Sequence, residues 1–178
     1  MTTKGQKLVN PENGEFFEYF NTAAETGGTK ATIRVLIKKG GFKPVMHKHL
    51  QQDETFEVIS GRLTYQLVGQ PPVSIGPGET ITLPKGVGHT HYNDGEEDLL
   101  MYQTAAPALD FEPFIAALHH NIIRGNMKKG QPPFLQLMVW MRELQGKTCV
   151  ADIPVGVQKV IASLLAPLGK WSGYKTFY

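Results

Sequence analysis

His47 and His49 flank a single lysine, Glu54 follows five positions after His49, and His89 comes 35 residues beyond Glu54. On a strand, alternate residues face the same side, so His47 and His49 share a face and Lys48 points to the other. Glu54 can return its carboxylate from the next strand, and His89 enters after a turn rich in proline and glycine. Three imidazoles and one carboxylate make a mixed nitrogen and oxygen donor set that suits divalent Fe, Mn, Ni, Zn or Co and leaves one or two positions for water or substrate. A divalent ion beside one carboxylate keeps a single net positive charge, which attracts an anionic oxygen donor. On spacing alone, a solvent-facing His-x-His pair is the plainer alternative.

Two further residues are candidate catalytic groups. His91 shares the strand face of His89, where it could act as a general base, a hydrogen-bond donor to substrate or a support behind the ligands. Tyr65 shares a face with Leu63 and Leu67 and is either a core aromatic or a phenol able to donate to a bound anion. Phe56 and Val58, in the parity of Glu54, would supply an apolar pocket wall. His119 and His120 are adjacent on a predicted helix and diverge by about 100°, so they cannot converge on one ion unaided. Cys149 has no cysteine partner and reads as a plain thiol.

The elements that must position these groups change character near residue 107. Before it, short β-favouring runs (15–20, 31–38, 55–59, 63–68, 72–75, 80–83, 89–93 and 99–104) alternate with glycine and proline punctuation such as Gly40-Gly41, Ser60-Gly61 and Gly76-Pro77-Gly78. Gly61 is expected to take the positive φ of a tight hairpin, and Asn93 to tie the following turn through its side chain. After residue 107, Phe111, Phe114, Ile115, Leu118 and Ile122 follow helical spacing, with Asp110 as N-cap and Gly125 as stop. A second helix is predicted from Phe134 to about Gln145, closed by Gly146 and apolar on nearly every side, so packed on more than one face. A third begins after Asp152 and is expected to end at Pro167.

The run Gly41-Phe-Lys-Pro-Val-Met-His47-Lys-His49-Leu-Gln-Gln-Asp-Glu54-Thr-Phe-Glu-Val-Ile-Ser-Gly61 resembles the first motif of the cupin family. Gly78-Glu-Thr-Ile-Thr-Leu-Pro84-Lys-Gly86-Val-Gly-His89-Thr-His-Tyr-Asn93 resembles the second. The resemblance implies a mainly β fold, a small cupin barrel of jelly-roll or double-stranded β-helix type, with a metal held inside by the residues matching His47, His49, Glu54 and His89. The short link between the motifs is similar to that of small single-domain bacterial cupins. The expected organisation is a β-barrel domain with its N-terminal strands over residues 1–106, and a helical extension over 107–178 packed on the barrel or on a partner subunit.

Composition bounds what such a chain can do. The 178 residues are one domain's worth, and 19 glycines with 12 prolines fit a turn-rich β layout. A net charge of +2, from 18 basic and 16 acidic side chains, is too weak a bias to argue for nucleic acid. The longest apolar run, Phe134 to Met141, is too short to span a bilayer, and the polar start reads as lacking a secretory signal. With one cysteine, the expected setting is the reducing cytoplasm. The function expected is a metal-dependent enzyme, an oxygenase (dioxygenase) or isomerase acting on a small carboxylate, diketone, enol or phenol; the alternative is a metal-anchored binding or sensing module without turnover. The partners expected are a small-molecule ligand and a second copy of the chain in a homodimer, with neither nucleic acid nor membrane.

Overall fold

The computed structural model describes residues 2–127 and 131–177. Ten strands come first: β1 (Lys7–Val9), β2 (Phe16–Asn21), β3 (Ala31–Ile37), β4 (His47–His49), β5 (Asp53–Ser60), β6 (Leu63–Leu67), β7 (Val73–Ile75), β8 (Thr80–Leu83), β9 (His89–Tyr92) and β10 (Leu99–Ala106). Two helices, α1 (Phe111–Ile123) and α2 (Phe134–Leu144), a short strand β11 (Thr148–Val150) and a final helix α3 (Val155–Trp171) follow.

The strands form two open sheets. One has the order β1-β2-β3-β10-β5-β8 and the other β11-β4-β9-β6-β7. The closed barrel expected from the sequence is therefore corrected to two separate sheets, since no strand pairing joins one to the other. The physical reason lies at the edges. The outer edge of β4, which closure would need, is paired with β11, and the β1–β2 hairpin extends the other sheet beyond β3. Edges occupied in this way cannot be joined to one another.

Side-chain alternation packs the sheets face to face. Along β5, Glu54, Phe56 and Val58 point inward while Asp53 and Glu57 stay exposed; along β10, Leu99, Met101, Gln103 and Ala105 are buried. Ile33, Val35, Ile37 and Leu63 complete an almost dry core. Gly61 turns β5 into β6 at φ +81°, where an added Cβ would stand 2.4 Å from the Asp98 carbonyl oxygen, so both conformation and space demand glycine. Asn93 holds the turn before β10 as expected, its amide donating to the carbonyls of Ile37 at 3.0 Å and Glu97 at 2.8 Å.

Asp110 occupies the N-cap position of α1, but its carboxylate pairs with Lys147 and makes no cap bond. Within α2, Met138, Val139, Trp140 and Met141 are buried, and Gln136 is tied inside by its amide donating 2.7 Å to the Lys175 carbonyl. Phe134 at its start remains 60% exposed, so the all-round burial expected of this helix is incomplete. Pro167 does not end α3, which continues to Trp171. A proline leaves the carbonyl four residues earlier without its helical donor, and here the Arg142 guanidinium donates to that Ser163 oxygen at 3.1 Å. The helix α3 packs on α2 and turns Val160, Leu164 and Trp171 outward at 61%, 72% and 85% exposure. Among the described residues, no helix is long and apolar enough to cross a membrane.

Candidate metal centre

Both sheets contribute to one cluster in the space between them. β4 brings His47 and His49 and β9 brings His89, in direct register with His47; Glu54 reaches across from β5 of the opposite sheet. One ligand atom from each of the four residues lies within 4.8 Å of all the others. Glu54 and His89 are almost wholly buried, and His47 and His49 are half-buried.

Each imidazole is held by its Nδ1. His47 Nδ1 lies 2.8 Å from the Val45 carbonyl and His89 Nδ1 lies 3.0 Å from the Val87 carbonyl. A carbonyl only accepts, so both Nδ1 atoms donate and Nε2 is the atom left for the cluster. His49 Nδ1 meets the Thr148 hydroxyl at 2.9 Å, and its buried Nε2 has no hydrogen-bond partner among the described residues, standing 3.5 Å from Glu54 Oε2. The Gln103 amide donates to Glu54 Oε1 at 2.6 Å and fixes the carboxylate. Backbone contacts brace this geometry: the Gly86 amide donates to the His49 carbonyl at 2.7 Å, and a Cβ on Gly88 would press within 2.6 Å of Val68. Three oriented Nε2 atoms, one of them an orphan, and an anchored carboxylate oxygen fit a divalent metal ion.

The electrostatics agree with that donor set. Burial, with repulsion from His49, pushes His47 down to about 3, so its ring is neutral. Burial alone would raise the Glu54 carboxyl, but the neighbouring His49 imidazole and the hydrogen bond and charge of His89 hold it well below the usual carboxylate range. Burial draws His89 down, and its 2.8 Å contact with Glu54 Oε2 outweighs this, leaving its pKa raised. Below that raised value the metal-free cluster holds a proton on His89 Nε2 that a ligated imidazole must surrender. His89 stays protonated to a higher pH than a free histidine, so metal affinity should be highest above that raised value. It should then fall about tenfold for each unit of pH below it, with one proton released per ion bound. His47 adds no competition until near pH 3. Calorimetric Zn(II) titrations in buffers of different ionisation enthalpy check this; an affinity that stays flat from about pH 8 to about pH 5 removes His89 from the set.

A cavity of about 120 Å³ adjoins the cluster, and His47, His49, Glu54, His91 and Gln103 are among the residues that line it. His91 is 4% exposed, stacks on Phe56 at 4.6 Å between ring centroids, and is pushed down to about 4 by burial. Its Nδ1 has no hydrogen-bond partner among the described residues. Tyr65 pairs with His91 in the β6–β9 register and so shares its face, but it packs in the core and does not line the cavity. Phe56 and Val58 likewise belong to the core; the apolar wall comes from α1, α2 and β3 instead. Lys48 points away from the cluster and donates to the Ala151 carbonyl at 3.1 Å. Thr148 and Gln103 are site residues that sequence reasoning missed, because nothing in the runs around them signals partners at His49 and Glu54.

Residues 33–104 match the family model of the cupin domain. A curated relative, germin-like protein 3-7 of Oryza sativa subsp. japonica, is 33% identical over 91 residues, which are 49% of this chain and 36% of that protein. The chain thus spans about a third of that relative's length. Among solved structures, a predicted oxalate decarboxylase from Thermotoga maritima superposes with a TM-score of 0.50 at 16% identity, covering 60% of this chain and 99% of that one. KdgF from Halomonas sp. gives a TM-score of 0.50 at 19% identity, covering 60% and 92%. Two sheets that hold an inward His/His/Glu/His cluster define a β fold of a recognisable kind, with side chains that could hold a metal ion. Residues 33–104 thus match the cupin domain, the solved structures share its fold, and C-terminal helices follow it in this chain.

Proposed function

We propose that this cupin is a metal-dependent enzyme of oxygenase or isomerase type acting on a small compound that chelates through oxygen: a carboxylate, diketone, enol or phenol. The observation that carries the reading is the convergence of His47, His49, Glu54 and His89, the first three of which line a cavity whose wall also includes a buried histidine with an unpartnered nitrogen, His91. His47, His49 and His89 would hold a divalent ion through Nε2 and Glu54 through Oε2. Such an ion supplies Lewis acidity and, for a redox-active metal, oxygen activation. Gln103 keeps the Glu54 carboxylate aimed inward, and His91 is placed to hydrogen-bond a substrate oxygen. Tyr65 stands behind His91, across the β6–β9 pair, where its part is to hold that ring in place.

The test is a screen of protein reconstituted with Fe(II), Mn(II), Ni(II) or Zn(II) against small diketones, catechols, hydroxy acids and keto sugars. Oxygen consumption reads oxygenase chemistry, and product formation reads isomerisation. With an active pair in hand, His91→Gln should keep one metal per chain yet lower kcat roughly a hundredfold, the usual effect of removing one well-placed donor to developing charge. Binding with no turnover under any metal, and variants that change only the dissociation constant, would replace this reading with a sensing module.

A further inference from the structure

The candidate metal ligands make up only a small part of the cavity lining, and apart from Thr148, Cys149 and the unpartnered indole Nε1 of Trp140 most of the remaining described wall is apolar. Phe42, Phe114, Leu118, Leu137, Trp140 and Met141 surround the space, and no lysine or arginine stands among the described lining residues. Phe114 and Leu118 come from α1 and the last three from α2, so the extension after residue 107 supplies much of the surface a ligand meets.

Charge and size then limit what fits. A divalent ion with the single carboxylate of Glu54 has one positive charge left to neutralise. One anionic oxygen completes that balance. A second negative charge on the ligand would meet no counter-charge among the described lining residues and would be buried against largely apolar walls, which disfavours it strongly. A hydroxyl-rich body would likewise lose water and find few partners among the described lining residues: His91, Gln103, Thr148 and the indole Nε1 of Trp140 beside the cluster itself. The cavity, about 120 Å³, compares with apolar cavities of about 150 Å³ that take up benzene. It has room for one ring or a short branched chain.

Resting on the reading of the cluster as a metal centre, we infer that the ligand is a monoanionic oxygen chelator with a hydrocarbon body about one ring in size. An enolised diketone or a phenol with an apolar substituent fits this description. Dicarboxylates, sugars and sugar phosphates do not.

The experiment uses the full chain loaded with Zn(II), whose content is first measured by elemental analysis. Benzohydroxamate and acetohydroxamate present the same chelating head with and without a ring, while oxalate and fructose 6-phosphate carry more charge or more hydroxyls. Calorimetry should give benzohydroxamate at least a tenfold tighter dissociation constant than acetohydroxamate, with oxalate and fructose 6-phosphate weaker than both. The chain has two tryptophans, so Trp171→Phe leaves Trp140 as the sole indole, and its emission should change with benzohydroxamate and not with the sugar phosphate. Leu137 is half-buried, so Leu137→Lys is expected to fold; it should weaken benzohydroxamate about tenfold and strengthen oxalate, by placing a cation in the wall. Equal affinities for the two hydroxamates, or a preference for oxalate or fructose 6-phosphate, in protein carrying one Zn(II) per chain would overturn the inference and leave the metal centre standing. Failure of the protein to take up Zn(II) at all would overturn the metal centre and this inference with it.

Discussion

Glu54→Gln should abolish stoichiometric metal binding while leaving the fold intact. Glu54 is the sole carboxylate of the cluster, it is 2% exposed, and it faces all three imidazoles. The amide keeps the shape and can still meet Gln103, so the loss is that of one negative charge in a buried site. Removing one partner of a buried charged pair costs about 3–5 kcal/mol, which is roughly a hundred- to several-thousandfold in affinity. Protein dialysed against a weak chelator should keep close to one ion per chain when native and almost none as the variant. Lys48→Ala, on the outward face of the same strand, should keep its ion. The metal-free variant should also show where the Glu54–His89 contact matters. His89 has a raised pKa in the folded chain, so its pairing with Glu54 stabilises the protein below the unfolded imidazole value and ceases to do so as pH rises through the folded one. The apo variant should therefore lose most stability in mild acid and least at alkaline pH, which thermal melts at several pH values would read. A variant that still binds one ion with native affinity would exclude Glu54 as a ligand.

Removal of residues 131–178 should cost both solubility and the metal site. The cut takes away α2, whose Trp140 and Met141 line the cavity with Phe114 and Leu118 of α1, so several large side chains would face water together. It also takes away β11, which pairs with β4 at His47, Lys48 and His49, and the Thr148 hydroxyl that meets His49 Nδ1. Thr148→Val separates these effects. It keeps the strand and the volume but removes the hydrogen bond, and should weaken metal binding roughly ten- to a hundredfold with little change in oligomeric state. Sedimentation velocity of the truncated chain, with elemental analysis, gives the outcome. A soluble fragment that holds its ion as tightly as the full chain would make the extension an independent appendage. The same sedimentation run on the native chain addresses the homodimer expected from the sequence, for which the outward Val160, Leu164 and Trp171 of α3 offer an apolar surface.

The four cluster residues were legible because each carries a local cue. His47 and His49 alternate on a strand, Glu54 begins an alternating run, and Pro84 to Gly88 announces the turn before His89. The strand series and α1 were readable for the same reason, since their periodicity is contained within a few residues. What escaped the reading depends on distant pairing. β1 and β11 are three residues each, too short for a pattern, and β11 exists because β4 presents an open edge to it. The same pairing explains why the expected closure into a barrel failed. Pro167 looked like a stop because its rescue comes from Arg142 on another helix. The apolar wall was assigned to Phe56 and Val58 by parity with Glu54, yet the sheet buries both in its core and the helices provide the wall. Contacts of this kind are set by tertiary packing, which single-sequence periodicity does not encode.

The pairing of β4 with β11 also orders events during synthesis. A chain is made from its N-terminus, and domains begin to fold as they emerge. All four cluster residues leave the ribosome well before Thr148 is added, so for the time needed to translate some sixty residues past His89, β4 has β9 on one side and nothing on the other. A strand in that state is an open template for pairing with a neighbouring chain. The nascent protein therefore carries His47 and His49 on an unprotected edge until Thr148–Val150 is made and closes it.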